Sequence, residues 1–323
     1  MSDLIVALRE AWARRGDLPS TEPMLRACDG VGDGLPGLYI DRLGSLALVH
    51  LHEGSPIEEA ALGACAEVLL PLYGVQTIYL RVHYDDPRRS AEAGARLLSG
   101  VRREATWVHE GSLELLVQPE LNVNGGIFLD MREVRRQLGR TCRELQVLNT
   151  FCFTGSLGLA AFAGGAREVV QVDISKSILA WARENFARNA TRGQGKMRFI
   201  EEDCRAFLRR EVRRLERGRS PYDLIILDPP SFGSSGGVTF SLERDLPELL
   251  DLAVALLGPG GRLLATMNNR GFSRSELEVA MRGAAGIRQR LIERMTPLRP
   301  SEIDFTSPPE DSIAMRGVLA TLR

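Results

Sequence analysis

The spacing of hydrophobic positions changes near residue 130. Before it, apolar residues recur at helical spacing over 3–15 and 56–72. They alternate with polar ones, or run briefly together, over 38–41, 46–51, 77–82, 107–110 and 112–117, which predicts strands. Glycine and aspartate crowd 29–37 into a turn, and Gly44 and Gly111 sit where hairpins must reverse. The reading is a small α+β domain over 1–118. From about 130 the rhythm becomes strand then helix. Strands are predicted at 145–150, 168–173, 197–202, 222–228 and 260–267, with helices at 130–141, 156–164, 175–189, 203–217, 241–257 and 273–284. Such alternation builds a doubly wound parallel sheet. Two last strands, near 288–295 and 313–322, are separated by a loop long enough for a hairpin, so an antiparallel edge strand is expected on that sheet. The second domain is taken as 119–323.

Composition narrows the function classes. The chain has 323 residues, 44% of them hydrophobic, and a formal charge of −1, so no global basic field draws it to nucleic acid. Five cysteines are scattered with no Cys-x-x-Cys pair, which argues against a metal site or disulfide framework and fits a reducing cytoplasm. The N-terminus has no signal-peptide core, and no apolar run approaches the ~20 residues that span a membrane. All four histidines precede residue 110, which excludes a histidine catalyst from the second half.

Candidate chemistry lies at the predicted carboxyl ends of strands, where open α/β sheets bind ligands. The fourth strand stops at Leu227-Asp228-Pro229-Pro230-Ser231-Phe232, because two prolines cannot extend a sheet. A carboxylate, unpaired carbonyls and an aromatic ring there suit a planar base with an amino group; an ordinary sharp turn is the plainer alternative. The first strand runs into Phe151-Cys152-Phe153-Thr154-Gly155-Ser156-Leu157-Gly158, a glycine turn that opens a helix without the Gly-x-Gly-x-x-Gly fingerprint. The second ends at Asp173, which can accept both ribose hydroxyls or cap the next helix. The third ends at Asp203, which can receive an adenine amino group or serve as an N-cap. No arginine or lysine lies in the glycine turn and no Walker lysine exists, so the pattern points to S-adenosylmethionine (SAM) rather than NAD or ATP.

These segments resemble the bacterial large-subunit ribosomal RNA methyltransferases of the RlmI/RlmK type. Gly126-Ile127-Phe128-Leu129-Asp130-Met131-Arg132, Val147-Leu148-Asn149-Thr150 with the glycine turn, Val172-Asp173-Ile174-Ser175 and the Asp228 motif carry the resemblance. The stretch 33–42 resembles that family's central domain, with an architectural rather than catalytic role. The resemblance implies a Rossmann-like, seven-stranded class I methyltransferase domain behind a small α+β domain that is a candidate RNA contact. It implies SAM as cofactor, no metal, RNA (23S rRNA) as partner and a cytoplasmic enzyme. The implied cofactor set is Phe128, Asp130, Arg132, Asn149, Phe151, Thr154, Gly155, Asp173, Ile174, Asp203, Cys204 and Asp228. The acceptor set is Asp228, Pro229, Phe232, Asn268 and Asn269.

Two departures from that family shape the expectations. Many relatives carry an RNA-binding PUA domain first; about thirty residues precede the 33–42 match, too few for one, so RNA capture would rest on other surface. Arginines at 205, 209, 210, 213, 214, 217 and 219, and at 132, 135, 136 and 140, are candidates, against the alternative of solvated faces paired with Glu211 and Glu216. Cytosine-directed relatives place a cysteine after the fifth strand, because carbon-5 methylation needs a thiolate. Here the sequence is Thr266-Met267-Asn268-Asn269-Arg270-Gly271-Phe272, which resembles the guanine-N7 branch. Cytosine C5 chemistry through Cys152 or Cys204, guanine N2 methylation, a non-RNA substrate, and a non-catalytic SAM- or RNA-binding factor are the alternatives.

Overall fold

A computed structural model describes residues 2–86, 94–121, 124–235, 238–268, 271–308, 312 and 314–323. The chain forms two compact units. One comprises Met1–Asp130 with Ser301–Ser312, the other Met131–Pro300 with Ile313–Arg323.

The first unit opens with helices α1 (Ser2–Ala13) and α2 (Leu18–Thr21). A five-stranded sheet follows, with β1 (Met24–Asp29), β2 (Leu38–Leu43), β3 (Leu46–His52), β4 (Thr77–His83) and β5 (Arg96–Gly100) side by side in chain order. Helix α3 (Glu59–Tyr73) connects the parallel pair β3 and β4, while the other neighbours are antiparallel. The predicted hairpin over 38–51 is present, with Leu43 opposite Leu46 and Gly44 at φ 65° in the turn. A second hairpin joins β6 (Thr106–Glu110) and β7 (Leu113–Val117). Strand β1 was not among the predicted strands. All six of its residues are buried, so it shows no alternation.

That burial includes charge. Arg15 and Asp33 are paired with both side chains fully buried. Asp33 also accepts from Arg14 Nε at 3.0 Å and from the Asp29 N–H at 2.6 Å. Arg26 reaches Asp41 at 2.5 Å and Asp29 at 3.0 Å, with its guanidinium over the rings of Tyr39 and Phe305. The acidic residues of the 33–42 segment are therefore committed to internal ion pairs, which fits an architectural role.

In the second unit, helix α4 (Arg132–Thr141) leads into a seven-stranded sheet. Its strands are β8 (Gln146–Thr150), β9 (Glu168–Asp173), β10 (Lys196–Glu201), β11 (Tyr222–Leu227), then β12 (Phe232–Ser235) and β13 (Val238–Ser241) as a separate hairpin, and β14 (Leu257–Met267), β15 (Ile292–Leu298) and β16 (Arg316–Leu322). The spatial order is β10-β9-β8-β11-β14-β16-β15. The first five are parallel, and β16 is antiparallel to both β14 and β15, as the terminal hairpin predicts. Helices α5 (Ser156–Ala163), α6 (Lys176–Asn189), α7 (Cys204–Leu215), α8 (Leu242–Leu256) and α9 (Arg274–Ile287) make the connections. Leu148, Ile225 and Leu263 from the sheet meet Leu249, Leu250 and Leu277 of α8 and α9 in one buried core. Among the described residues no helix is long and apolar enough to cross a membrane.

The Arg15–Asp33 pair yields a stability prediction. Asp33→Ala strands a buried guanidinium and should cost about 3–5 kcal/mol in urea unfolding. Burial pushes the Asp33 carboxyl up, but Arg15 and Arg14 outweigh it and hold it below the ordinary carboxylate range. The pair's contribution is thus complete above about pH 4 and is lost as pH falls through that depressed value. Acid titration of wild type should show this loss, and Asp33→Ala should flatten it.

Candidate active site

The strand order reverses between β8 and β11, so the chains leaving their carboxyl ends turn away on either side of a crevice. Thr150 stands opposite Leu227 in the register of these two strands. Its buried hydroxyl donates to the Ile226 carbonyl at 2.9 Å, which pins the two strand ends together.

Beyond Thr150 the backbone is strained. Phe151 and Phe153 have φ of 52° and 50°, and Gly155 has 81°. A left-handed non-glycine residue costs about 1–3 kcal/mol and persists where its surroundings impose it. Here the Phe151 N–H donates to Cys204 Sγ at 3.1 Å, the Cys152 N–H to the Val172 carbonyl at 3.0 Å, and the Phe153 N–H to Asp173 Oδ2 at 3.1 Å. Buried Thr154 accepts Asn185 Nδ2 on its carbonyl at 2.9 Å. Asn149 is buried one residue before the strand ends; its Nδ2 donates to Gln171 Oε1 at 2.7 Å, and its Oδ1 has no hydrogen-bond partner among the described residues.

Asp173 and Ile174 are half-buried at the end of β9. Burial pushes the Asp173 carboxyl above its ordinary range, although the N–H groups of Ser175, Phe153 and Ile174 oppose the shift. Asp203 occupies the N-cap of α7 and accepts the Ala206 N–H at 2.8 Å, the capping geometry weighed in the sequence. Cys204 is buried behind it.

On the other side of the crevice, Asp228 comes directly after β11 and accepts the Thr266 hydroxyl at 2.6 Å. Pro229 is buried and Pro230 exposed. The Ser231 hydroxyl donates to the Asn268 carbonyl at 2.8 Å, which ties this loop to the end of β14. Asn268 is exposed. Asn269 and the Phe232 side chain lie outside the described residues and side chains; the Phe232 backbone pairs with Ser241 in the β12–β13 hairpin. Arg132 heads α4 and is buried, 3.6 Å from Glu133. Phe128 and Asp130 belong to the first unit. The second unit thus collects the ends of β8, β9 and β10 on one side and those of β11 and β14 on the other.

The arginine-rich helix is largely neutralised from within. Arg205 pairs with Asp245, Arg209 with Glu248, Arg210 with Glu202, and Arg214 and Arg219 both with buried Glu211. On α4, Arg135 is buried and Arg136 pairs with Glu133. Arg140, Arg213 and Arg217 have no ion pair among the described residues.

Sequence comparison decides the family. The family described as S-adenosylmethionine-dependent methyltransferase matches residues 32–308. The chain belongs to this family. This methyltransferase is 37% identical over 193 residues to the ribosomal RNA large subunit methyltransferase K/L of Chromohalobacter salexigens, an alignment covering 59% of its own chain. It spans only about a quarter (25%) of that relative's length. In fold it is similar to SMU.776, a methyltransferase crystallised with SAH, at a TM-score of 0.82 and 21% identity, covering 98% of this chain and 81% of the other. It is likewise similar to a SAM-dependent methyltransferase from Streptococcus mutans, at a TM-score of 0.83 and 21% identity, covering 99% and 81%.

The residues after β8 fit SAM. The glycine turn carries no cationic side chain for a phosphate, and Asn149 Oδ1 is a buried acceptor with no donor among the described residues. Two residues of this crevice escaped the sequence reading, Gln171 and Thr266. Each is a buried polar residue beside apolar strand neighbours, and such a residue requires an internal partner.

All five thiols are free and buried. Burial raises Cys152 and Cys204 well above the usual thiol range, and the neighbouring Asp173 adds to it. No cysteine should therefore react rapidly with Ellman's reagent in the native protein at pH 8. Labelling should occur only on unfolding; one fast thiol would contradict the geometry.

Proposed function

We propose that this methyltransferase modifies a base of RNA, with guanine N7 in 23S rRNA as the favoured target. The observation that carries the reading is the placement of the Asp228-Pro229-Pro230 loop beside the SAM turn, across the strand-order reversal. Two further facts support it. The curated relative is named for large-subunit ribosomal RNA. The thiols that cytosine C5 chemistry would need, Cys152 and Cys204, are buried with their protons held.

In this reading Asp173 accepts the ribose hydroxyls, Asp203 lies near the adenine, and Arg132, Asn149, Phe151, Thr154, Gly155, Ile174 and Cys204 complete the cofactor surroundings. SAM supplies an electrophilic methyl group on a sulfonium. Guanine N7 carries an in-plane lone pair and needs no proton removed, so the protein's task is alignment and exclusion of water. Asp228 and the Pro229 carbonyl hold the base by its donors, Phe232 stacks on it, and Asn268 and Asn269 orient its edge. Thr266 fixes the Asp228 carboxylate in advance. A base in a duplex must be flipped out to reach this loop. Residues 1–118 serve as the smaller, RNA-contacting domain and 119–323 as the catalytic one. Arg140, Arg213 and Arg217, which have no ion pair among the described residues, are its phosphate contacts, with an affinity that falls as salt rises.

The test is methyl transfer from radiolabelled SAM to unmodified large-subunit RNA, with digestion to nucleosides. Label in 7-methylguanosine is expected; label in 5-methylcytidine would overturn the base assignment. Asp228→Ala should abolish transfer while SAM binding survives.

Asp173 gives a separate prediction. Asp173→Ala should raise the Kd for SAM at least about tenfold, or about 1.4 kcal/mol. The ionised carboxylate is the form that accepts hydroxyls, and burial raises its pKa in the free protein. Wild-type affinity should therefore be full at neutral pH and decline on acidification, beginning above the usual carboxylate range of about 4. Calorimetric titration across pH checks both; a Kd indifferent to Asp173 would place the ribose elsewhere.

A further inference from the structure

Gln171 lies in the middle of β9, within Val169-Val170-Gln171-Val172, and is buried. A carboxamide inside a sheet is costly unless both of its ends are used. Both are used on the SAM turn. Oε1 accepts Asn149 Nδ2 at 2.7 Å, and Nε2 donates to the Gly155 carbonyl at 2.9 Å. One side chain therefore joins the end of β8 to the residue that opens α5.

The glycines of the turn are shaped around the same group. A Cβ on Gly158 would lie 2.5 Å from both Gln171 Nε2 and Oε1, and one on Gly155 2.9 Å from Nε2. The carboxamide occupies the space that side chains at these positions would need. It also engages the Asn149 amide nitrogen, which leaves Asn149 Oδ1 a buried acceptor without a donor among the described residues.

We propose that Gln171 is a positioning residue for SAM: its carboxamide sets the Gly155 turn and the orientation of the Asn149 amide, and so fixes the cofactor's seat without touching the methyl acceptor. This rests on the placement of SAM at the β8–α5 turn, which Asp173→Ala tests independently.

A positioning role separates from a packing role in a double-variant experiment. Gln171→Glu keeps the shape and the acceptor for Asn149 but sets a second oxygen against the Gly155 carbonyl. Gly158→Ala drives the carboxamide from its place. Both should raise the Kd and KM for SAM about tenfold or more, while the rate at saturating SAM changes less than about threefold. In the Gly158→Ala, Gln171→Ala double variant the new methyl fills vacated space. Its Tm should recover relative to Gly158→Ala, yet its SAM affinity should stay low, because nothing tethers the Gly155 carbonyl. Wild-type affinity in the double variant would show that Gln171 only fills space and would overturn the proposal. A Gln171→Glu variant that is folded and binds SAM normally would overturn it too. Should Asp173→Ala also bind normally, the SAM placement itself fails, and that result is distinct from a failure of Gln171 alone.

Discussion

The lateral pairing of β8 with β11 positions the candidate site of the second unit. These strands are distant in sequence, yet Thr150 and Leu227 lie opposite each other, and the Thr150 hydroxyl bonds to the β11 backbone. Parallel neighbours are separated by about 4.8 Å, so the segments leaving the two strands start within a few ångströms of each other. One continuation is a glycine turn without phosphate clamps; the other is a carboxylate locked by two prolines. A methyl transfer needs donor and acceptor in line at near contact. In the proposed reading, the sheet supplies that proximity before any ligand arrives.

Around this crevice, the polar groups are arranged to hold backbone and one another rather than to do proton chemistry. Asp173 binds the Phe153 and Ser175 N–H groups, Gln171 binds the Gly155 carbonyl, Thr266 binds Asp228, and Ser231 binds the Asn268 carbonyl. The thiols are buried and protonated, and no histidine lies in the second half of the chain. Such a site suits a nucleophile that is already competent. The charge that looks most conspicuous in sequence is spent differently. Five arginines on and just after α7 meet carboxylates of the same unit, and Glu211 alone takes two of them while bonding the Tyr222 hydroxyl.

Much of the second unit was legible in the sequence, because β8, β9 and β11 are short, largely apolar runs ended by a polar or glycine signal, and β10 at the sheet edge alternates. The ends of β8, β9, β10 and β11 fall within a residue or so of their expected places. The first unit was harder to read. Strand β1 buries Arg26 along with its apolar neighbours, so its pattern is neither alternating nor uniformly hydrophobic. The β12–β13 hairpin carries little apolar signal, because Gly233, Ser234 and Ser235 are residue types that favour turns. Asp203 illustrates a different limit: cap and ligand readings call for the same residue at the same place, and the Ala206 bond displays the cap. Gln171 and Thr266 became visible only when the neighbouring strands supplied their partners.

Cofactor and acceptor are proposed to meet across the β8–β11 reversal. A crystal structure of the protein with SAH tests it most directly. The ribose hydroxyls are expected within hydrogen-bond reach of Asp173, the adenosyl group over the Phe151–Gly155 turn, and the sulfur facing the Asp228 loop. SAH bound away from the carboxyl ends of β8 and β9, or with its sulfur turned from Asp228, would contradict it.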